Sequence, residues 1–218
     1  MNVPCLLRYI FLGPLFPLYF FNNELRLTTP STKCSVRSLV IRIMWDPPIM
    51  ATSYILYKIF GVRLLHDGYN GFVTYVNKRL LISSYPFPED VERLYTNYKV
   101  RSVVNMCAEY SGPTKEYSRR LITHLHLPTI DGTVPRLEDV KKAVEFIENR
   151  LEEQDPDTTV LVHCKGGRGR AASVILCYLI KNEKISVKDA FDKIYAKRPV
   201  LESSILNYQL YSEFYQIA

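Results

Sequence analysis

Residues 68–218 alternate between short apolar runs and longer segments with helical periodicity. The short runs are rich in residues that favour strands, and turn-forming residues bound them. In the longer segments apolar residues recur every three or four positions, which is the spacing of one face of an α-helix. The predicted strands are Phe72–Val76, Leu80–Tyr85, Val100–Met106, Ile122–Leu127 and Val160–Val162. The predicted helices are Glu89–Asn97, Thr114–Leu121, Leu137–Leu151, Arg168–Lys181, Ser186–Ala196 and Ser203–Gln216.

The order of these elements predicts an α/β fold. Asn77 and Lys78 provide a turn between the first two strands, which therefore form a hairpin. From there strands alternate with helices, and this order predicts a central, mostly parallel sheet flanked by helices. Arg168–Lys181 is apolar on nearly all sides, so we expect it to be the central buried helix. Pro128 is expected to end the fourth strand, and Ser186 to cap the helix that it begins.

The first 44 residues differ from the rest of the chain. Residues 5–21 are strongly apolar, but this run is shorter than the about 20 residues of a bilayer span and contains Arg8, Pro14 and Pro17. The stretch that follows is rich in Ser, Thr and Arg, which is typical of a mitochondrial presequence or of an amphipathic anchor at a membrane surface. A true membrane span and a segment with no membrane role are the alternatives. A secretory signal is disfavoured because no small-x-small cleavage site is clear.

We divide the chain into three parts on this pattern. Residues 1–44 are the targeting or membrane-associated segment, residues 45–67 are a linker or accessory helix, and residues 68–218 are one domain. Within the middle part lies a second apolar stretch, Ile49–Phe60. This stretch is predicted to be a helix that either caps the core of the domain or lies on a membrane surface.

Composition and charge exclude several classes of protein. Apolar residues make up 47% and charged residues 23% of the chain, which is close to the globular average and excludes a disordered chain. Residues 1–44 carry +4 of the formal charge of +6, so the rest of the chain is not a strongly basic nucleic-acid binder. Five scattered cysteines do not make a disulfide scaffold and favour a reducing compartment.

The segment from residue 160 to residue 170 reads VLVHCKGGRGR and carries the most informative chemistry. A buried strand leads into Cys164, and a buried helix begins across the glycine-rich loop. Because Gly166, Gly167 and Gly169 leave the backbone open, their N–H groups can point inward together and bind an anion beside a helix N-terminus. The same positive field stabilises a thiolate, so Cys164 is predicted to be a nucleophile. Arg170 adds a planar fork that binds two phosphate oxygens.

Two other interpretations of this segment stay open from the residues alone. The first is a glycine-rich loop at a helix start with a core cysteine and no chemistry. The second is a zinc site built from His124, His126, His163 and Cys164, which lacks the usual paired ligand spacing. In the phosphate-loop interpretation, His163 is a positioning residue that hydrogen bonds to nearby backbone rather than a general base.

The run His163–Arg170 resembles the His-Cys-x5-Arg motif of the dual-specificity cysteine phosphatases. The similarity to their mitochondrial phosphatidylglycerophosphate phosphatase branch is closer still, and it covers about residues 68–218. The branch resembles this chain in its basic phosphate loop and in four further segments. These are Leu80–Pro86 followed by Phe87-Pro88, Val103–Met106 followed by Glu109-Tyr110, Pro128–Asp131, and Leu137–Asp139 at a helix start.

The resemblance implies a fold, a mechanism and a general acid. It implies the cysteine-phosphatase fold, with residues 68–218 as the phosphatase domain. In the family an Asp on a loop before the Cys protonates the leaving oxygen, and Asp131 fits this position, with Asp139 as runner-up. Cys164 is then expected to attack phosphorus, and Asp131 to activate the water that hydrolyses the cysteinyl-phosphate. Arg170 and the loop amides supply the positive field, so neither a metal nor another cofactor is expected.

One position departs from the family pattern. The family usually places Ser or Thr directly after the motif Arg, where its hydroxyl helps the thiolate to leave, and here that residue is Ala171. A hydrogen bond to a charged group is worth about 1.5–3 kcal/mol, so the second step is expected to be slower by about one to two powers of ten. The alternative is a weak or inactive phosphatase that binds phosphorylated ligands. Retention of Cys164, Arg170 and Asp131 favours the enzyme.

The basic loop favours a lipid substrate. Lys165 and Arg168 add two positive charges to the phosphate site, which suits a polyanionic head group, while a solvated basic rim is the simpler alternative. The resemblance implies that Glu109 and Tyr110 line the pocket. We therefore expect a phospholipid such as phosphatidylglycerophosphate, with a phosphoprotein as the alternative substrate. The expected partner is a membrane surface, the expected location the mitochondrial inner membrane, and the expected state a monomer.

Three further expectations concern residues outside the loop. Cys177 is predicted to be inert because it lies in the buried helix, whereas the pattern assigns no role to Cys107. Tyr208, Tyr211 and Tyr215 are spaced as one face of a helix, so we expect them to pack.

Overall fold

A computed structural model of the chain describes residues 73–215 and positions 51, 52, 54, 55, 58 and 59. All of them belong to the unit Arg42–Ala218, the second of two units into which the chain divides. The apolar run 5–21 and the basic segment around it lie outside the described residues, so the expectations for residues 1–44 stay predictions. Within the described residues, no helix is long and apolar enough to cross a membrane.

A five-stranded, mostly parallel sheet forms the centre of the described domain. Its strands lie in the order β1-β2-β5-β3-β4, and only the β1–β2 hairpin is antiparallel. The predicted α/β class and the mostly parallel sheet are therefore confirmed. The strands are β1 Val73–Tyr75, β2 Leu80–Ser83, β3 Val100–Cys107, β4 Thr123–Thr129 and β5 Thr159–His163.

Helices pack on both faces of the sheet. Two short helices cover one face, where Leu81, Val103 and Leu161 form a small core. The other helices cover the opposite face and enclose the larger core, which contains Leu80, Ile82 and their neighbours. The helices are α1 Asp90–Thr96, α2 Thr114–Arg119, α3 Leu137–Glu153, α4 Arg170–Glu183, α5 Val187–Tyr195 and α6 Leu210–Tyr215, with a 3-10 helix at Ser203–Asn207.

The central helix and the capped helix match the prediction. In α4, residues from the first turn to the last are buried, as expected of the central helix. Ser186 begins α5 as an N-cap, and its hydroxyl accepts a hydrogen bond from the N–H of Asp189. That bond satisfies one of the free donors of the first turn.

Two predicted element ends are wrong. Strand β4 does not stop at Pro128 but continues to Thr129, because β4 is an edge strand and a missing N–H there costs no ladder bond. The predicted terminal helix Ser203–Gln216 is two elements, with Tyr208 in extended backbone between them. This break allows the 3-10 helix to bury Ile205 while α6 buries Leu210 and Phe214. The predicted tyrosine face packs only in part, because Tyr215 is half exposed.

The described positions of the stretch 49–60 are helical. Tyr54 packs against Phe87 with ring centroids 5.0 Å apart, and its hydroxyl donates to Glu89. Ile55 and Ile59 are 54% and 64% exposed. This helix therefore touches the domain through Tyr54 and leaves apolar side chains on its surface.

Candidate active site

The carboxyl ends of the parallel strands meet at one edge of the sheet, and the predicted site residues gather there. Cys164 follows β5, Glu109 lies just beyond β3, and Asp131 follows β4. Arg170 begins α4 across the loop from Cys164. This edge is where open α/β sheets bind ligands, because loops and helix N-termini converge on it.

The loop after β5 turns around the Cys164 thiol. The N–H of Gly167 donates to Sγ of Cys164 at 3.2 Å. Gly167 has φ +64°, and a Cβ atom at this residue would lie 2.4 Å from the carbonyl oxygen of Ser83. The loop therefore needs glycine here both for its backbone angle and for its contact with the end of β2.

Arg170 is held in the site by acidic and carbonyl groups from two strands. Its Nη1 and Nη2 each donate to Glu109 at 2.8 Å, which makes a two-bond fork. Nη1 also donates to the carbonyl of Thr129 at 2.7 Å, and Nη2 to Asp131 Oδ1 at 2.9 Å. Burial alone would lower the pKa of Arg170, yet the hydrogen bonds to Glu109 and the surrounding negative groups raise it above its ordinary value.

Asp131 lies between two cations of the site. Its Oδ1 accepts from Arg170, and its Oδ2 lies 3.3 Å from Nζ of Lys165. The carboxylate thus sits beside the loop that carries Cys164. Asp139, the runner-up for that role, is instead buried in α3 and paired with Arg136.

The remaining predicted loop residues are placed as follows. Gly166 and Gly169 lie in the turn between Cys164 and α4, where a Cβ atom on Gly166 would touch the side chain of Arg168. Arg168 is exposed, and its Nε donates to the carbonyl of Val200 at 2.9 Å. Its side chain is therefore tied to the segment after α5 at the rim of the loop.

His163 is fully buried at the end of β5. Neither ring nitrogen makes a hydrogen bond of ordinary distance and angle with a described residue, while the backbone of Cys164 still acts on the ring, so the positioning role of His163 stays a prediction. Burial is the largest cause that lowers the pKa of His163, to about 3, while the backbone of Cys164 raises it slightly. The ring is therefore neutral near pH 7 and cannot act as a charged acid in the site.

The structure adds Asn105 of β3 to the surroundings of the site. The side chain of Asn105 donates to the carbonyl of Tyr110 at 2.7 Å and accepts from the N–H of Cys107 at 2.8 Å. These bonds shape the loop that carries Glu109 towards Arg170. The sequence pattern missed Asn105, since a polar residue inside a predicted strand gives no sign of its partners.

The other cysteines and histidines that the structure describes form no second centre. Burial raises the pKa values of both Cys107 and Cys177 well above the ordinary value, and the charges near Cys107 include Glu109 and Arg170. Among the residues that the structure describes, no group of three or more His, Cys, Asp or Glu side chains is arranged to hold a metal ion. His126 instead forms a hydrogen bond with the carbonyl of Cys107.

Comparison with known proteins identifies this arrangement. The model of the dual specificity phosphatase catalytic domain matches residues 85–216. The chain is 37% identical over 128 residues to the phosphatidylglycerophosphate phosphatase PTPMT2 of Arabidopsis thaliana, a match that covers 57% of this chain and 54% of the plant protein. The match thus spans about half the length of that relative. This chain is also 30% identical over 146 residues to the mouse phosphatidylglycerophosphatase and protein-tyrosine phosphatase 1, a match that covers 64% of this chain and 74% of the mouse protein.

Solved structures share the fold. The active form of Tk-PTP matches with a TM-score of 0.60 and 25% identity, over 67% of this chain and 98% of that structure. PTPMT1 in complex with PI(5)P matches with a TM-score of 0.58 and 26% identity, over the same shares of the two chains. The expected cysteine-phosphatase fold is confirmed.

Proposed function

This chain belongs to the dual specificity phosphatase family and is a cysteine-dependent phosphatase, and from that premise we propose that it removes the terminal phosphate from a phospholipid head group. The substrate that we propose is phosphatidylglycerophosphate, and the product is phosphatidylglycerol. The observation that carries this proposal is the similarity to relatives from a plant and a mouse that are both named for this reaction.

The first chemical step uses the loop thiol. Cys164 attacks the phosphorus atom in line with the leaving oxygen, so an S–P bond forms as the ester P–O bond breaks. The incoming phosphate competes with Asp131 for Arg170 and Lys165, which now hold the carboxylate. The negative charge of the phosphate favours the protonated form of Asp131, and that proton passes to the leaving alkoxide.

The second step releases phosphate. Asp131, now a carboxylate, takes a proton from a water molecule, and the oxygen of that water attacks the phosphorus of the cysteinyl-phosphate. The S–P bond breaks and the thiolate of Cys164 returns. Glu109 keeps the guanidinium of Arg170 in place through both steps, since its two hydrogen bonds fix the plane of the fork.

Charge at the loop suits a lipid head group with more than one phosphate. Phosphatidylglycerophosphate carries a diester phosphate as well as the terminal one. Lys165 in the site and Arg168 at its rim place two cations beside Arg170, where a second phosphate can bind. The related PTPMT1 structure holds a phosphoinositide, PI(5)P, which also carries two phosphates.

A test of the substrate uses the full chain with lipids in mixed micelles. We expect phosphate release from phosphatidylglycerophosphate with a higher kcat/KM than from phosphatidylinositol 5-phosphate or a phosphotyrosine peptide. Cys164→Ser is expected to abolish release, because a serine hydroxyl is not ionised at neutral pH. Asp131→Asn is expected to lower kcat by about 10²–10⁴-fold, the usual contribution of general acid catalysis.

Asp139→Asn is the matched control for the acid. It removes the same charge from a buried, ion-paired aspartate eight residues further along, and it is expected to leave kcat within about twofold of wild type. Equal activity of wild type and Cys164→Ser would contradict the proposed mechanism, in which Cys164 is the nucleophile. Exclusive hydrolysis of the phosphopeptide would contradict the proposed lipid substrate but would agree with the proposed cysteine mechanism.

The proposal includes a membrane surface as partner, and the mitochondrial inner membrane as location. A lipid substrate keeps its acyl chains in the bilayer, so the site must approach that surface. The basic, acid-poor composition of residues 1–44 supports mitochondrial import. Fractionation of cells that express the full chain tests the location, and recovery outside mitochondria would contradict it.

A further inference from the structure

Every carbonyl of the phosphate loop from residue 165 to residue 169 accepts a hydrogen bond from a group outside that stretch. The carbonyl of Lys165 accepts from the N–H of Tyr85, and that of Arg168 from the N–H of Glu202. The carbonyl of Gly169 accepts from the N–H of Ser173 in α4. Such bonds on the outer side leave the loop amides free to point towards the thiol.

Arg198 donates the hydrogen bonds to the two remaining carbonyls of the loop, those of Gly166 and Gly167. Its Nη2 donates to the carbonyl of Gly166 and its Nε to the carbonyl of Gly167, both at 2.9 Å. Its Nη1 donates to Thr74 Oγ1 at 3.2 Å, which ties the guanidinium to β1. Arg198 is only 7% exposed, so its charge acts in a medium that screens it weakly.

One peptide group joins this buried cation to the nucleophile. The carbonyl of Gly166 and the N–H of Gly167 belong to the same peptide unit. The carbonyl accepts from Arg198, and the N–H donates to Sγ of Cys164. A cation at the oxygen end of a peptide unit polarises it, so the N–H end becomes a stronger donor to a negative sulfur.

We propose that Arg198 is a positioning residue of the phosphatase reaction, which aligns and polarises the Gly166–Gly167 peptide so that the Cys164 thiolate is stabilised. Arg198 acts through the loop and does not touch substrate. The proposal holds for any phosphomonoester that the site accepts, and it is therefore independent of the lipid assignment.

The test measures the thiolate directly. The full chain is alkylated with iodoacetamide across a range of pH, and the rate at which Cys164 is alkylated is plotted against pH. The pH at which this rate is half its maximum, the midpoint, is compared between wild type and variants. Arg198→Met and Arg198→Gln both remove the charge, and the Gln side chain keeps an N–H donor. We expect the midpoint to rise by about one pH unit in both, which corresponds to tenfold less thiolate below the midpoint.

Turnover supplies the second readout. With a soluble aryl phosphate at a pH below the wild-type midpoint, kcat/KM is expected to fall by about tenfold to a hundredfold in both neutral variants. Arg198→Lys keeps the positive charge, and its midpoint is expected to lie within a few tenths of a pH unit of wild type. The titratable and charged side chains of the site stay unchanged in all variants, and they are Cys107, Glu109, Asp131, His163, Lys165 and Arg170.

Arg79→Met is the matched control for fold stability. Arg79 also donates to several backbone carbonyls, including those of Leu151 and Thr158. It lies directly before β2, at the amino ends of the parallel strands and therefore at the opposite end of the sheet from the site. Its loss is expected to lower the melting temperature without moving the alkylation midpoint. An unchanged midpoint in Arg198→Met and Arg198→Gln would overturn the proposal. So would a rise in Arg198→Lys as large as that in Arg198→Met.

Discussion

At the scale of single residues, the phosphate loop depends on two small side chains for different reasons. At Gly167, a left-handed backbone angle and a close contact with the carbonyl of Ser83 both require that no Cβ be present. Ala171, in the first turn of α4, is fully buried and carries a methyl group where the resemblance implies a hydroxyl. Glycine at position 167 allows the loop to form, whereas alanine at position 171 is expected to affect how fast the loop releases its product.

Restoring the hydroxyl at position 171 is expected to speed the second chemical step. In Ala171→Ser, a hydroxyl beside the thiolate leaving group can donate one hydrogen bond, and a bond to a charged group is worth about 1.5–3 kcal/mol. The rate of cysteinyl-phosphate breakdown should therefore rise about tenfold to a hundredfold. Rapid-quench measurement with an aryl phosphate separates this step from the initial burst.

Ala172→Ser is the matched control for this change. It adds the same oxygen atom at the next residue, which is also fully buried in α4. Its breakdown rate is expected to stay near that of wild type. Equal acceleration in both variants, or none in Ala171→Ser, would show that position 171 does not act on the leaving thiolate.

Residue identity predicted the centre of the site but not its support. Cys164, the glycines and Arg170 lie within seven consecutive positions, so their spacing alone predicts a phosphate loop. Arg198 and Asn105 act by hydrogen bonding to backbone groups that are distant in the chain. Backbone partners leave no pattern in the sequence, and only the folded chain reveals them.

At the scale of elements, the face of the sheet under α1 and α2 carries a histidine strip, which we define as His124 and His126 of β4 and His163 of β5. Of these side chains, His163 is fully buried, His124 is half-buried and His126 is exposed. Asn105 of β3 lies between the two strands, in register with both His126 and His163. The ring of Tyr117 from α2 packs on His124 with centroids 5.2 Å apart. Burial is the main cause that lowers the pKa of His124 to about 4.

This strip predicts that the fold loses stability in acid. An unfolded histidine has a pKa near 6.5, whereas His163 has a pKa of about 3 in the fold, so between these values the unfolded chain binds more protons. The contribution of neutral His163 to the free energy of unfolding is therefore fully present above pH 6.5. It falls by up to about 1.4 kcal/mol per pH unit for His163 as the pH drops from 6.5 to 3. Urea unfolding at a series of pH values measures this slope.

Single variants separate the histidines from the carboxylates that titrate in the same range. His163→Asn is expected to flatten the slope down to about pH 3, and His124→Asn to flatten it only down to about pH 4. The difference from wild type is the quantity to compare, since both variants keep the same acidic residues. If His163→Asn leaves the slope unaltered, the His163 ring of the wild-type protein is protonated in the folded state, which would contradict the prediction.

Periodicity predicted element types better than element ends. The alternation of strands and helices follows from apolar spacing, which burial enforces along each element. The continuation of β4 through Pro128 depends instead on which strand lies at the sheet edge, and the break at Tyr208 depends on which side chains the larger core accepts. Both are properties of the assembled sheet and core, so local sequence does not contain them.

At the scale of the whole molecule, an aromatic chain connects the phosphate site to the helical positions that the structure describes between residues 51 and 59. The rings of Tyr54, Phe87, Tyr85 and Tyr110 contact each other in that order, with centroids 5.0–5.6 Å apart. Tyr110 lies next to Glu109, which holds Arg170. The exposed Ile55 and Ile59 therefore lie on a helix that is packed onto one wall of the site.

These isoleucines are expected to help the full chain to bind a bilayer. The double variant Ile55→Ser, Ile59→Ser is expected to bind vesicles that contain anionic phosphatidylglycerol about tenfold more weakly, because apolar side chains contribute to binding at the interface. Its activity on a soluble aryl phosphate is expected to match wild type. Co-sedimentation with vesicles measures the bound fraction.

Leu121→Ser is the control for a general loss of surface hydrophobicity. Leu121 is 88% exposed and precedes β4, at the sheet edge opposite the site. Its vesicle binding is expected to equal that of wild type. Unchanged binding of the double isoleucine variant would leave the membrane contact to residues outside this helix.

The outer bonds of the loop carry a consequence for synthesis of the protein. The groups that hold the loop carbonyls come from Tyr85, α4, Arg198 and Glu202, so nearly the full length of the domain contributes to them. A nascent chain in which residues 198 to 202 have not yet folded onto the loop lacks two of these supports, Arg198 and Glu202. We therefore expect the loop to gain its full set of outer hydrogen bonds, and with them its activity, only after the segments from Tyr85 to Glu202 have folded together.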